Sequence, residues 1–508
     1  MDEALSFEDL GVWDDLLDDG VSSAGSDEEF PDPRSIDPRI TPPDVVEIDR
    51  CLAELEAELA RLRMKKAHIL ASRALIYRLP AEIMSRIFEF GVHDVPELLT
   101  VLSLVCRHWR ELALATPSLW TYIILKSPWN IPSFVCKLRV FLARAQMCKL
   151  LIDIDQNYLD FEELQEVMVE LRPHFARCFS FRLSSPSWDF VSSMREYLAD
   201  LGPSLEMLHL RIHGSNLLES MPYRTLLAPE CSRLKSIVLE HIPLACIYQC
   251  HFSALRRLYL MRDLQYRDRR GHNGRFGIFF KDLVTTLRAT PTIEEVRFQS
   301  VAFLVEGNEE VFQSDPAVTI IPSLRVLSFY LVDSPNIALF LESTSLPALT
   351  RLSVNMEPSS DENMHWLSCM SSALRSRSPS LRQLDLRACN IDGTALVSFV
   401  RALHQLPQLT ALSLSSPRLG PLSMQFFELL AAGPATTGAW ILPQLRALCV
   451  QQCGEITGHE LLRVVRARRD TAISDANGIC FLKIAHCEGL DEEVLEQLRS
   501  VVHTVRVI

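Results

Sequence analysis

The chain has 508 residues, 48% of them apolar, with a formal charge of −13 and fourteen cysteines. That length accommodates two or three domains, or one domain followed by a repeat array, and no apolar run approaches the roughly 18 residues that span a bilayer. The cysteines are scattered without a single CxxC pair, which disfavours a zinc site or a disulfide framework and points to reduced thiols in the cytoplasm or nucleus.

Residues 1–46 are expected to form a disordered acidic tail. Residues 1–49 hold sixteen Asp or Glu against Arg34 and Arg39 only, so the tail carries nearly all the net charge and the rest is close to neutral. Pro31, Pro33, Pro38, Pro42 and Pro43, with several Ser and Gly, argue the same way. Its start lacks the basic-then-apolar order of a secretory signal. Leu10, Trp13, Leu16 and Leu17 share one helical face within it, either a short partner-binding helix or an apolar spot in a solvating segment.

From 47 to 75 the spacing predicts one continuous helix. Ile48, Leu52, Leu55, Leu59, Leu62 and Ile69 follow alternating steps of four and three, with Lys66 interrupting the seam. Such a seam serves either a short coiled-coil dimer or packing against the neighbouring parts of the chain.

Residues 76–122 read as three short amphipathic helices, too few residues to bury a self-sufficient core. Pro80 is placed where a first-turn proline is tolerated, and Ile83, Met84, Ile87, Phe88 and Phe90 form an apolar stripe opposite Glu82, Ser85, Arg86 and Glu89. Pro96 opens a second helix carrying Leu98, Leu99, Leu102 and Val105. A third carries Trp109, Leu112 and Ala113, and Pro117, Leu119 and Trp120 close the unit. The Leu-Pro-x-Glu-Ile start at Leu79, the Leu-x-x-Val-Cys-Arg-x-Trp-Arg stretch ending at Arg110 and the final Pro-x-Leu-Trp together resemble an F-box, and fungal F-box proteins have a similar leucine-spaced helix leading into it. The resemblance implies docking to a Skp-type adaptor and through it to a cullin–RING ubiquitin ligase. Leu79, Pro80, Ile83, Ile87, Phe88, Val105, Trp109, Leu119 and Trp120 match the family's adaptor-facing or unit-closing positions.

From about residue 148 onward a Leu-x-x-Leu-x-Leu pattern recurs ten times. It runs from Leu205/Leu208/Leu210 to Ile479/Leu482/Ile484, with first positions 21 to 38 residues apart. Each copy is expected to give a short strand followed by a turn and a helical return, with earlier strands at Leu150–Ile154 and Phe179–Leu183. This resembles a leucine-rich-repeat solenoid, here assigned to residues 123–508. In three late copies Cys389, Cys453 and Cys487 follow the strand, as in the cysteine-containing repeats often found behind F-boxes, and read as small buried thiols of a tight turn.

No P-loop, GxGxxG, GxSxG or HExxH motif is present, and the histidines show no metal-ligand spacing; no cofactor and no catalytic or metal-binding residues are assigned. In each repeat the residues flanking the last two apolar positions should project from the concave face. They include Arg211, Arg257, Tyr259, Arg297, Tyr330, Arg351, Arg387 and Lys483, against Glu240, Glu295 and Asp385. Either this is a mildly basic face for an acidic or phosphorylated client, or a solvated face with a chance surplus of positive charge. The acidic tail is a candidate competitor for the same face. The arginine-rich stretch around Arg262–Arg275 reads as a surface insert, and the near-neutral body disfavours nucleic acid.

The expected architecture is therefore α/β: a disordered acidic N-terminal tail, a small three-helix F-box and an irregular leucine-rich-repeat solenoid. By resemblance it implies a non-catalytic substrate receptor of a Skp–cullin–F-box ligase, the alternative being a non-degradative interaction scaffold.

Overall fold

The computed structural model describes residues 43–73, 75–125, 131–155, 161–201, 203–213, 225–229, 231–247, 250–262, 276–305, 318–356, 366, 378–389, 391, 393–415, 424–433, 440–453, 456–470, 478–487 and 490–508. The predicted tail segment around Leu10–Leu17 and most of the arginine-rich stretch lie outside them. The chain divides into two compact units, Met1–Met84 and Ser85–Ile508.

The first unit contains α1 (Pro43–Arg73), a 3-10 turn at Leu75–Arg78 and the first residues of α2 (Ala81–Asp94). The helix α1 begins four residues before the spacing predicts, because Pro43 in a first turn forfeits no intrahelical hydrogen bond. Pro80 stands just before α2, and its carbonyl accepts the N–H groups of Ile83 and Met84 at 3.0 and 3.1 Å.

The second unit begins within α2 and continues with α3 (Leu98–Val105), α4 (Arg107–Ala115) and a 3-10 turn at Pro117–Trp120. Cys106 separates α3 from α4 in an extended conformation, and its Sγ accepts the Trp109 N–H at 3.4 Å as an N-cap. The chain then passes without a linker into β1 (Tyr122–Leu125), the first strand of a 14-stranded sheet.

That sheet is parallel at every junction and follows the chain order. After β1 come β2 (Leu150–Asp155), β3 (Cys178–Ser185), β4 (Met207–Ile212), β5 (Ser236–Glu240) and β6 (Arg257–Met261). Two short pairs stand apart from it: β7 (Phe276–Phe279) with β9 (Val301–Leu304), and β10 (Thr319–Ile320) with β12 (Thr344–Ser345). The main sheet continues through β8 (Glu295–Gln299), β11 (Val326–Tyr330), β13 (Arg351–Asn355), β14 (Gln383–Arg387) and β15 (Ala411–Ser415). It ends with β16 (Ala447–Gln451), β17 (Phe481–Ala485) and β18 (Thr504–Val507).

All ten predicted copies are strands of this sheet, and their three apolar positions are buried. Registered rows such as Leu258, Val296, Leu327, Leu352, Leu384 and Leu412 stack along it, and each fully buried side chain of this kind is worth about 1.5–3 kcal/mol. Parallel neighbours need crossovers, supplied by helices such as Ser334–Ser343, Gly393–His404 and Gly458–Asp470. Over the shortest spacing, 21 residues between the β5 and β6 copies, the described residues hold a 3-10 turn at Leu244–Cys246 in place of a helix.

The strand ends repeat one device. His241, Ser300, Leu331, Ala388, Gln452 and His486 immediately follow strands with φ between 51° and 59°. This left-handed turn aims each N–H at the last carbonyl of the next repeat, for example Ser300 to Tyr330 at 2.8 Å and Ala388 to Ser415 at 2.7 Å. The cysteines behind the late strands act similarly: Cys389, Cys453 and Cys487 each donate Sγ–H to the carbonyl two residues earlier, at 3.3 to 3.4 Å. Burial pushes the Cys389 thiol up to about 12, so it is inert packing. Cys487 differs, because the neighbouring Cys453 thiol hydrogen-bonds it and lowers its pKa.

Candidate protein-interaction surfaces

The first candidate surface lies on the helices before the sheet. Spacing of four places Met84, Phe88 and Val92 on the buried side of α2, whereas Ile87 and Phe90 are exposed. The single stripe expected from the sequence therefore splits: the strict i, i+4, i+8 set is core, and the rest is surface. On α3, Leu99 and Leu102 are buried while Val101, Leu104 and Val105 are exposed; Phe90 and Leu104 reach 74% and 70%. An exposed apolar set of this kind makes these helices a candidate interaction surface.

Beneath that surface the aromatic residues lock the helices. The Phe88 and Trp109 rings are 5.0 Å apart. Trp120 donates Nε1–H to the Ala113 carbonyl at 2.9 Å, packs edge-on against Phe141 at 5.0 Å and lies under the Arg144 guanidinium at 4.4 Å. Ser85 and Thr116 hydroxyls share a hydrogen bond of 3.1 Å, and Ser118 donates to Glu89. Tyr122–Leu125 then register with Leu151–Ile154, which joins this segment directly to the sheet.

Of the nine residues expected to face an adaptor, Leu79, Pro80 and Ile83 are exposed in the first unit, and Ile87 and Val105 are exposed in the second. Trp109 is half-buried, whereas Phe88, Leu119 and Trp120 are buried and close the unit. Sequence reasoning placed Phe90 in the same apolar stripe as the buried Met84 and Phe88, and passed over Val101 and Leu104. Their signal was their offset from the i, i+4 rows that are buried.

The second candidate surface is the open face of the sheet, where alternate strand residues are half-buried or exposed. A groove of about 320 Å³ crosses β8, β11, β13 and β14 and is lined by Arg297, Tyr330, Arg351 and Arg387, with Glu295 and Asp385 as its acidic residues. It thus gathers four of the eight predicted client residues. Arg257 and Tyr259 stand beside it on β6, cross-strand from Glu295 and Arg297. Arg387 is tied to Asp385 at 3.1 Å, leaving Arg297 and Arg351 as its exposed cations without a carboxylate within salt-bridge distance in any described pair.

The other two predicted residues lie away from the groove. Arg211 on β4 is half-buried and forms an ion pair with Glu240, its Nε 3.2 Å from the carboxylate, while His209 Nε2 meets the same carboxylate at 2.6 Å. Burial opposes ionisation of Glu240, but the His209 hydrogen bond and the nearby positive charges of Arg211 and Arg182 hold its pKa below the usual carboxylate range. Arg211 is therefore committed within the sheet. Lys483 on β17 lies three strands beyond β14.

A further charge cluster had no sequence signal. Glu206, just before β4, binds Lys235 Nζ at 2.5 Å and Lys149 Nζ at 2.9 Å, with Arg233 at 3.8 Å. Hydrogen bonds from Lys235 and Lys149 hold its carboxyl at about 2. Among the described residues no helix is long and apolar enough to cross a membrane.

Comparison with known proteins agrees with this organisation at the N-terminal side. The F-box-like family profile matches residues 76–126. No curated protein matched the sequence. Among solved structures, the chain is similar to the leucine-rich repeat-containing protein LegL7 from Legionella pneumophila, at 13% identity and a TM-score of 0.34, over 75% of this chain and 96% of that one. Residues 76–126 are an F-box-like domain. The sheet that follows, with its parallel order and stacked apolar rows, is a leucine-rich-repeat solenoid, and the combination defines a protein-interaction architecture.

Proposed function

We propose that the protein is the substrate-recognition subunit of a Skp–cullin–F-box E3 ubiquitin ligase. In this reading residues 1–46 form the tail, 47–75 the lead-in helix, 76–122 the F-box and 123–508 the client-holding repeats. The exposed apolar set on α2 and α3, within the F-box-like segment, carries the reading. It supplies exposed apolar surface of the kind an adaptor covers, Ile87 and Val105 among it. The arginine-lined groove supports the second half, a client with acidic or phosphorylated groups. Ubiquitin transfer is then accelerated by effective concentration, with no chemistry in this chain. The test is co-purification of the full chain with a Skp-type adaptor and cullin. Capture by wild type and loss in Ile87→Asp/Val105→Asp, at an unchanged unfolding midpoint, is the expected result. Absence of capture by the folded wild type would leave a non-degradative scaffold as the function.

A further inference from the structure

The helix α1 carries an apolar seam that no described element of its own unit buries. Val45, Ile48, Leu52, Leu55, Leu59 and Leu62 are 41 to 67% exposed. With Ile69 they occupy two columns of a heptad repeat, Val45–Leu52–Leu59–Lys66 and Ile48–Leu55–Leu62–Ile69. The helix has 31 residues, about 46 Å of length, enough for more than three heptads.

Its charges are segregated along that length. Between Asp44 and Glu58 there are six carboxylates, with Arg50 already bonded to Glu47 at 2.6 Å. Between Leu59 and Lys66 there are Arg61, Arg63, Lys65 and Lys66 and no carboxylate. Such a helix is complementary to its own reverse.

We propose that α1 pairs with α1 of a second copy of this chain as an antiparallel coiled coil. The heptad columns then set Leu52 against Leu62, Leu55 against Leu59, and Ile48 against Lys66. Asp49 flanks the seam opposite Arg63, twice by symmetry. Each Lys66 ammonium lies at the seam's edge beside Asp49 and Glu47 of the other copy. A parallel pair would instead face the two Lys66 side chains across the apolar seam and align like-charged halves. Glu56 and Glu58 meet their own copies near the two-fold axis, and Glu58 carries Arg61 at 3.0 Å to offset this.

The test is sedimentation of the full-length protein with seam and charge variants. The wild type is expected to sediment as a dimer at micromolar concentration. Leu55→Asp/Leu59→Asp should be monomeric with the solenoid's unfolding midpoint unchanged. Asp49→Arg alone should raise the dimer Kd about tenfold, as should Arg63→Asp, and the double variant Asp49→Arg/Arg63→Asp should recover wild-type affinity. A monomer at tens of micromolar, with the seam covered within its own chain, overturns the proposal. So does a dimer that survives the seam variant, or a double variant no tighter than the singles, which is the behaviour of a parallel pair.

Discussion

The guanidinium of Arg297 lies 5.2 Å from the centre of the Tyr259 ring, and the two residues are registered partners on β8 and β6. The ring restrains a long side chain that would otherwise sample many rotamers, so the charge stays at the groove edge. With Arg351 and Arg387 it outweighs Glu295 and Asp385 by one. Reversing all three arginines to Glu leaves five negative charges and none positive. Binding of a polyglutamate peptide, followed by fluorescence anisotropy, should fall at least tenfold and no longer weaken as salt is added. Equal affinity before and after reversal would remove the basic groove from consideration.

Trp109 contributes through its ring and not through its N–H. Its Nε1–H is buried without an acceptor among the described residues, a cost of about 1–3 kcal/mol, while the ring packs on Phe88. Trp109→Phe should therefore change stability by less than about 1 kcal/mol, whereas Trp109→Ala should cost about 3 kcal/mol. Chemical denaturation of the two variants distinguishes these outcomes; equal losses would show that the N–H matters.

Glu206 should give the solenoid a pH-dependent clasp. Its folded carboxyl, held at about 2 by Lys235 and Lys149, lies below the value of about 4.3 in an unfolded chain. The folded state therefore favours the ionised form, and the stabilisation is fully present above the unfolded value. It is lost as pH falls from about 4 towards 2. The difference in unfolding midpoint between wild type and Glu206→Gln should be constant above pH 5 and shrink below it. A difference that persists undiminished at pH 2.5 would contradict the ion-pair assignment.

Ala388 occupies the left-handed region at φ 52°, which costs a non-glycine residue about 1 kcal/mol. Removing its Cβ relieves that cost, offset in part by the greater freedom of glycine in the unfolded chain. Ala388→Gly should leave stability unchanged or raise it by up to about 0.5 kcal/mol, and Ala388→Val should lower it by more than about 1 kcal/mol. Thermal unfolding of the pair measures the contrast.

The repeats were legible because each places three apolar residues at fixed offsets, and burial of that set leaves the strand only one register. The strand β1 was not legible. Tyr122–Leu125 is four residues long and follows the closing Trp120 turn directly, so nothing in its spacing separates it from the helices. The same holds for β18 at Thr504–Val507, which carries half an alternation. On α2 the sequence showed apolar residues but not which way they face, since Phe88 and Phe90 differ only in phase relative to Met84 and Val92. The commitment of Arg211 to Glu240 was hidden for another reason. It joins residues 29 positions apart, and only the register of β4 with β5 brings them together.

In the main sheet each strand is hydrogen-bonded only to the strands before and after it, and the left-handed turns hand their N–H groups to the next repeat alone. A fold wired in this way behaves as a row of semi-independent tiles. A change at Arg351 or Arg387 disturbs its immediate neighbours and leaves Trp120 and the helices before β1 as they were. The residues lining the groove can therefore change while the face presented by α2 and α3 is inherited intact.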